Sequence, residues 1–183
     1  MPAPTPGDAN VETQGVATID GVAVTPTITR SANRVMISAG PLDATIRATD
    51  SDGNTIPLGP DGRLRTPPGT NVEITTSGFT IGEPVDIWLF STPTRLDDLT
   101  TNVNGTATGT ITIPDSTDAG DHRLVIDGTV RNTNQATITL GITVPGDTSP
   151  WRSIPIWIPV TIAIALALAV PTRWQRQRRQ TRR

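Results

Sequence analysis

The sequence contains no cysteine, no lysine and no tyrosine, and it has a single histidine, His122. Without cysteine the chain can form neither a disulfide nor a thiolate metal site, and it offers no thiol nucleophile. A single imidazole cannot supply the ligands of an ordinary zinc site. Aromatic residues make up only 3% of the chain. The composition therefore argues against disulfide-rich, zinc-binding and thiol-based proteins.

Threonine, glycine and proline are abundant instead, and they favour strands and turns over helices. The 183 residues suffice for one ordinary domain or two small ones. Charge is divided unevenly along the chain. Residues 1–152 carry all 17 acidic residues against nine arginines, whereas residues 173–183 carry six arginines and no acid. Such a division indicates two different environments.

An uncharged apolar run near the C-terminus predicts a transmembrane helix over residues 154–172. A helix of this length spans about 25–28 Å, close to the roughly 30 Å of a hydrocarbon core. A strand is the alternative for its alternating part, but a lone strand would leave its backbone unpaired in lipid. Indole rings prefer the membrane interface. We therefore assign interface positions to Trp151, Trp157 and Trp174.

The arginines set the expected orientation, because positive charge stays on the cytoplasmic side of a membrane. Residues 173–183 should form a cytoplasmic tail that also binds anionic lipids of the inner leaflet. A nucleic-acid-binding arm is the rival interpretation of this tail, but its place directly after an apolar run favours an anchor and no nucleic-acid partner. The anchoring arginines are Arg173, Arg176, Arg178, Arg179, Arg182 and Arg183.

The first 15 residues are polar and proline-rich, and they predict a disordered leader or linker. They lack the basic and apolar regions of a secretory signal. Three explanations are open: a longer precursor, a misassigned start, or insertion of the C-terminal helix after synthesis. We favour the first two, because an outward domain of this size is unusual for late insertion.

Between residues 16 and 144, short β-prone runs alternate with turn signals at roughly ten-residue spacing. The expected strands cover residues 16–19, 22–30, 34–38, 44–49, 71–77, 85–91, 109–113, 122–127 and 135–144. The expected turn pairs are Asp20-Gly21, Asp52-Gly53, Asp61-Gly62, Asn104-Gly105 and Asp127-Gly128. This pattern predicts a mostly β fold, an antiparallel sandwich or open barrel. The run VDIWLFS is apolar on both faces, which indicates a central strand with Trp88 and Phe90 in a core. Pro67-Pro68-Gly69 interrupts the pattern. The expected segments are a leader (1–15), a small β unit (16–66), a β-sandwich (67–145), a stalk (146–153), the helix (154–172) and the tail (173–183).

Six short motifs follow one another between Gly78 and His122: Gly78-Phe79, Gly82 to Val85, Ser91 to Pro93, Asn104-Gly105, Ile113-Pro114 and Gly120 to His122. Their order resembles an Ig-like β-sandwich module of bacterial surface proteins, mainly of high-GC Gram-positive type. The resemblance covers roughly residues 20–145. It implies a stalk, spacer or adhesion domain beside a C-terminal anchor. No LPxTG signal precedes the apolar run, so retention by the helix is expected in place of covalent wall attachment.

The acidic loops have two possible chemical interpretations, calcium binding and glycoside hydrolysis. The stretch from Asp50 through Asp52 and Asn54 to Asp61 is spaced like a calcium loop, but Thr55 replaces the glycine at its sixth position. A hairpin turn is the simpler interpretation. Paired carboxylates can catalyse glycoside hydrolysis, yet they also keep surface proteins soluble. We predict no catalysis, no metal and no cofactor. The remaining acidic clusters are Asp97-Asp98 and Asp115, Asp118 and Asp121.

The sequence as a whole predicts a single-pass protein of the cell membrane, with its N-terminal region extracellular and its C-terminus cytoplasmic. Its expected role is structural or adhesive, as a spacer or presentation module, with the lipid bilayer as a partner. The alternative is an accessory or sugar-binding domain of a larger surface enzyme. An extracellular protein or glycan partner stays unknown. Neither the oligomeric state nor whether the two β units form one domain follows from the residues.

Overall fold

The computed structural model describes residues 2–6, 15–130 and 134–146. This part of the chain folds into twelve β-strands and no helix. The strands are β1 (Gly15–Ile19), β2 (Val22–Val24), β3 (Thr27–Ser31), β4 (Arg34–Ala39), β5 (Leu42–Thr49), β6 (Leu64–Arg65), β7 (Asn71–Ser77), β8 (Pro84–Phe90), β9 (Thr94–Thr100), β10 (Thr106–Thr112), β11 (Gly120–Val130) and β12 (Asn134–Val144).

These strands form two sheets. The first sheet has the order β2-β1-β12-β11-β8-β9, and the short β6 also pairs with β12. The second sheet has the order β10-β7-β5-β4-β3. Pairing between the described strands is antiparallel except for β6, which runs parallel to β12. The prediction of a mostly β fold with antiparallel sheets is confirmed.

Inward-facing residues of both sheets form one hydrophobic core. In β5, for example, Leu42 and Ile46 are fully buried, whereas Asp43 and Arg47 point outward. This is the period of two that a strand imposes on its side chains. Burying each large aliphatic side chain contributes about 1.5–3 kcal/mol. The largest fully buried residues are Ile37, Leu42, Ile46, Leu64, Ile74, Ile87, Ile113, Leu124, Ile126, Ile138, Leu140 and Ile142.

Strands from both sides of the expected boundary at residue 67 share the two sheets. Strand β5 lies between β4 and β7 in the second sheet, and β1 pairs with β12 in the first. The described residues up to Gly146 therefore lie in one compact unit. Pro67-Pro68-Gly69 does make a turn, as its residues require, but the strands before it add to the sheets built by the strands after it. Strand pairing joins distant segments of the chain, which local turn chemistry does not reveal.

Two further strand predictions needed correction. The run from Val22 to Arg30 was predicted as one strand, but it breaks at Thr25-Pro26 and its halves β2 and β3 belong to different sheets. Proline cannot donate a ladder hydrogen bond, so it suits this change of sheet. Strand β9 was not predicted, because its sequence, TRLDDLT, is polar. It lies at an edge of the first sheet, where charged residues are common.

Four of the five predicted turn pairs are confirmed. The glycines Gly21, Gly53, Gly62 and Gly105 have φ angles of 74°, 82°, 73° and 68°, which side-chain-bearing residues rarely adopt. The fifth pair, Asp127-Gly128, lies inside β11. A Cβ atom at Gly128 would come within 2.8 Å of the Phe79 ring. That glycine is therefore required by packing and not by a turn.

The transmembrane helix, the arginine tail and most of the stalk were predicted for residues that lie outside the described ranges. Within those ranges we find no helical segment with the length and hydrophobicity that a membrane span requires.

Candidate functional site

Two carboxylates face each other on the outer surface of the first sheet. Asp86 of β8 is paired directly with Asp127 of β11, and the two residues are only 5% and 7% exposed. Arg95 of β9 donates to Asp86 Oδ1 from Nε at 3.0 Å and from Nη2 at 2.6 Å. Gln135 Nε2 lies 3.1 Å from both carboxylate oxygens of Asp127. We call Asp86, Asp127, Arg95 and Gln135 the carboxylate site.

The two acids of the carboxylate site are held in different electrostatic environments. Burial raises the pKa of Asp127 to about 6, and the nearby charge of Asp86 acts in the same direction, while the Gln135 hydrogen bond opposes the shift. Asp86 instead has an arginine partner, and its hydrogen bond raises the pKa of Arg95. Directly opposed like charges destabilise a sheet. The arrangement therefore favours protonation of Asp127 under mildly acidic conditions.

A cavity of about 290 Å³ opens beside these acids. Glu83 lines this cavity together with the two aspartates, so its wall carries three carboxyl groups and the side-chain amide of Gln135. Its chemistry suits a proton or a positively charged group. The other lining residues are Pro84, Gly128 and Thr129.

The carboxylate site was not predicted from the sequence. Asp86 was visible as the acid in an otherwise apolar strand, and that is the one signal that could have drawn attention to it. Asp127 was assigned to a turn because glycine follows it. The meeting of the two acids depends on the register of β8 against β11, which are 41 residues apart at this pair.

The stretch that was weighed as a calcium loop closes on itself as a turn. Asp50 Oδ1 accepts hydrogen bonds from the backbone N–H groups of Asp52 and Asn54 at 3.0 and 2.8 Å. The bonds from Asn54 are also the main reason that the pKa of Asp50 is lowered. Asp61 is not brought to this turn, since its Oδ1 accepts from the backbone of Arg63 instead. These acids act as turn-forming residues in the structure.

Two acids of the other predicted clusters pair with arginines. Asp98 accepts from Arg95 Nη2 at 2.9 Å, and Asp121 accepts from Arg63 Nη1 at 2.7 Å. The Arg63 hydrogen bond is the largest cause of the lowered pKa of Asp121. Across the described ranges, no three histidine, aspartate or glutamate side chains come close enough together to hold a metal ion.

His122 occupies the end of the core where β12 finishes. The imidazole is 5% exposed, with Nδ1 2.9 Å from Ser91 Oγ and Nε2 2.7 Å from the Asp118 carbonyl oxygen. Two of the motifs in the sequence, Ser91 to Pro93 and Gly120 to His122, therefore meet in space. The contacts connect the end of β8 with the segment before β11.

The aromatic side chains of the described residues are buried. Trp88 and Phe90 form a small cluster with Val125 on the outer surface of the first sheet, and each of the two rings is 7% exposed. Phe79 belongs to the main core. The predicted core position of these rings is confirmed. The predicted interface residues Trp151, Trp157 and Trp174, and the six anchoring arginines, lie outside the described ranges.

Comparisons with protein-family models, with curated proteins and with solved structures find no match to this chain.

Proposed function

We propose that the chain is a single-pass cell-surface protein whose all-β body serves as a spacer or presentation module, with a structural or adhesive role. The observation that carries this proposal is the succession of two chemically different parts. A body with one continuous core ends with β12 at Val144, and an apolar run with six arginines behind it follows in the sequence. The first part is folded around a hydrophobic core, and the second has the composition of a stop-transfer anchor.

The proposal includes an Ig-like arrangement of the strands. In Ig-type sandwiches the third, sixth and seventh strands share one sheet, and the second and fifth share the other. Here β8, β11 and β12 are neighbours in the first sheet, and β7 and β10 are neighbours in the second. The short β6 would then be the first strand, and β1 to β5 would extend both sheets. This order supports the resemblance drawn from the motifs.

Exposed apolar residues support an adhesive role. Among the described residues, the large hydrophobic side chains that face solvent are Val22, Ile81 and Val103, at 67%, 60% and 82% exposure. All three lie at the end of the body opposite to Val144, since they adjoin the end of β1, the start of β8 and the end of β9. A partner could bury them without disturbing the core.

A sugar-binding role has less support. Carbohydrate recognition on an open surface usually needs an accessible aromatic ring, and the three described aromatic residues are buried. A glycan array probed with the full chain would test this alternative. Failure to bind any glycan on the array would rule this alternative out.

Topology in cells tests the main proposal. Cells that express the chain from its native upstream DNA would be treated with an external protease, and the fragment held in the membrane would be weighed. We expect a protected piece that contains residues 154–183 and loss of the β body. Full protection of residues 15–146 would contradict an outward-facing module. A variant that ends at residue 153 should appear in the medium, and its retention in the membrane would show that the apolar run is not the anchor.

A further inference from the structure

The pair formed by Ser91 and His122 has the geometry of an activated hydroxyl. A carbonyl oxygen can only accept a hydrogen bond, so the Asp118 carbonyl at 2.7 Å requires a proton on His122 Nε2. In the neutral imidazole, Nδ1 then carries the lone pair. The Ser91 hydroxyl at 2.9 Å must therefore donate its proton to Nδ1. A nucleophile, a base and a group that orients the base are therefore joined by consecutive hydrogen bonds, as acyl-accepting serines require.

The surroundings of Ser91 give a small molecule access to this hydroxyl. Ser91 is exposed, whereas the imidazole that it contacts is 5% exposed. The two residues line a cavity of about 290 Å³, which is large enough for a short acyl group. Leu89 and Pro114 supply apolar contacts there, and the remaining lining residues are Thr92, Thr94, Ser116, Thr117 and Asp118.

We propose that Ser91 is an acylation site, which takes a short acyl group from an activated ester or thioester. The Ser91 oxygen forms a bond to the acyl carbon, and the bond from that carbon to the leaving group breaks. The serine proton passes to His122 Nδ1 and then to the leaving oxygen or sulfur. The products are an ester at Ser91 and a free alcohol or thiol. This property goes beyond the spacer role and does not depend on it.

The chain provides a matched control for the experiment. Ser116 lines the same cavity as Ser91, but the hydrogen bond from a serine to His122 belongs to Ser91. The control variant Ser116→Ala therefore removes a hydroxyl from the cavity and leaves Ser91 and His122 in place. Ser91→Ala is expected to fold, because the side chain is small and exposed.

The test incubates the full chain in mild detergent with p-nitrophenyl acetate and, in parallel, with a fluorophosphonate probe. Intact mass and fragmentation then count and locate the adducts. We expect one adduct per chain, at Ser91, in the natural protein and in Ser116→Ala, and no adduct on the Ser91→Ala chain. His122→Gln should slow labelling at Ser91 by about 100-fold or more, as loss of a general base does.

Three results would overturn the proposal. The natural chain could remain unlabelled, the label could spread over exposed serines and threonines with no preference for Ser91, or His122→Gln could react as fast as the natural chain. Circular dichroism would show whether His122→Gln is folded. If it is not, the comparison of Ser91→Ala with Ser116→Ala decides alone.

Discussion

The outer surfaces of the two sheets differ sharply. In β8 of the first sheet every residue after Pro84 is buried, and Trp88, Phe90 and Val125 form a second apolar cluster there. On the second sheet, β10 alternates in the usual way, with Ala107 and Ile111 inside and Thr108 and Thr110 exposed. The second sheet thus has one solvated face, whereas the middle of the first sheet is enclosed on both faces. Removing the partner of a polar group should therefore cost more free energy on the first sheet than on the second.

The same contrast holds for charge. On the second sheet, the outward pair of Arg47 and Glu73 has side chains that are 47% and 36% exposed. On the first sheet, Arg95 pairs with Asp86, whose side chain is only 8% exposed, and a second buried acid lies directly opposite. An ion pair in water can be removed at little cost, but a buried acid without its partner keeps its desolvation penalty.

The largest difference in unfolding free energy should separate a buried aromatic residue on the outer surface of the first sheet from an exposed threonine on that of the second. We expect Trp88→Ala to lower the free energy of unfolding by about 3–5 kcal/mol, as for other buried aromatic residues. Thr75→Ala, at an exposed position of the second sheet, should change it by less than about 0.5 kcal/mol. Guanidinium unfolding of the full chain in detergent, followed by far-ultraviolet circular dichroism, measures both. Equal effects would mean that the outer surface of the first sheet is not enclosed.

A smaller effect should appear in the pH dependence of stability. Asp127 has a pKa of about 6 in the folded state against an ordinary value of 3.8. The folded state therefore binds the proton more tightly, so this contribution is complete below pH 3.8 and is lost as the pH rises through 6. The difference corresponds to about 3 kcal/mol, which partial solvent screening reduces to about 2 kcal/mol.

Asp127→Asn tests this assignment, because asparagine keeps the size of the side chain and removes the titration. Between pH 4 and pH 7 its unfolding free energy should fall less steeply with rising pH than that of the natural chain. Asp43→Asn, at an exposed position of the second sheet, serves as the control and should retain the natural slope. The assignment fails if both variants keep it.

The smallest of the three contrasts concerns the arginines. Arg95→Ala removes the partner of a buried acid that faces Asp127, so it should destabilise the protein more than Arg47→Ala does. Loss of the exposed Arg47–Glu73 pair should cost about 0–1 kcal/mol. The same unfolding curves measure the two variants at neutral pH. An Arg47→Ala effect that equals or exceeds that of Arg95→Ala would remove the electrostatic distinction between the sheets.

Much of the fold could be predicted from local patterns, and the limits have physical causes. Alternation and the Asp-Gly and Asn-Gly pairs located most strands and four turns, because strand period and positive φ are local properties. Strand β9 was missed because an edge strand need not be apolar. The insertion of β5 beside β7 and the pairing of β1 with β12 depend on long-range register, which single positions do not encode.

The candidate site was less predictable for the same reason. Asp50 was correctly weighed as a turn residue, since its hydrogen bonds are made within four residues. Asp86 and Asp127 become a pair only when β8 and β11 align, and the proximity of Ser91 to His122 requires the same alignment. The residue types were visible in the sequence, but their neighbours were not.

Site-specific labelling tests the central claim, an outward β body on a membrane anchor, most directly. The chain has no cysteine, so Thr75→Cys and Thr181→Cys each introduce one unique thiol. Intact cells would be treated with a membrane-impermeant maleimide before and after permeabilisation. The account predicts labelling of Thr75→Cys on intact cells and of Thr181→Cys only after permeabilisation. Labelling of Thr181→Cys on intact cells, or protection of Thr75→Cys until the cells are opened, would contradict it.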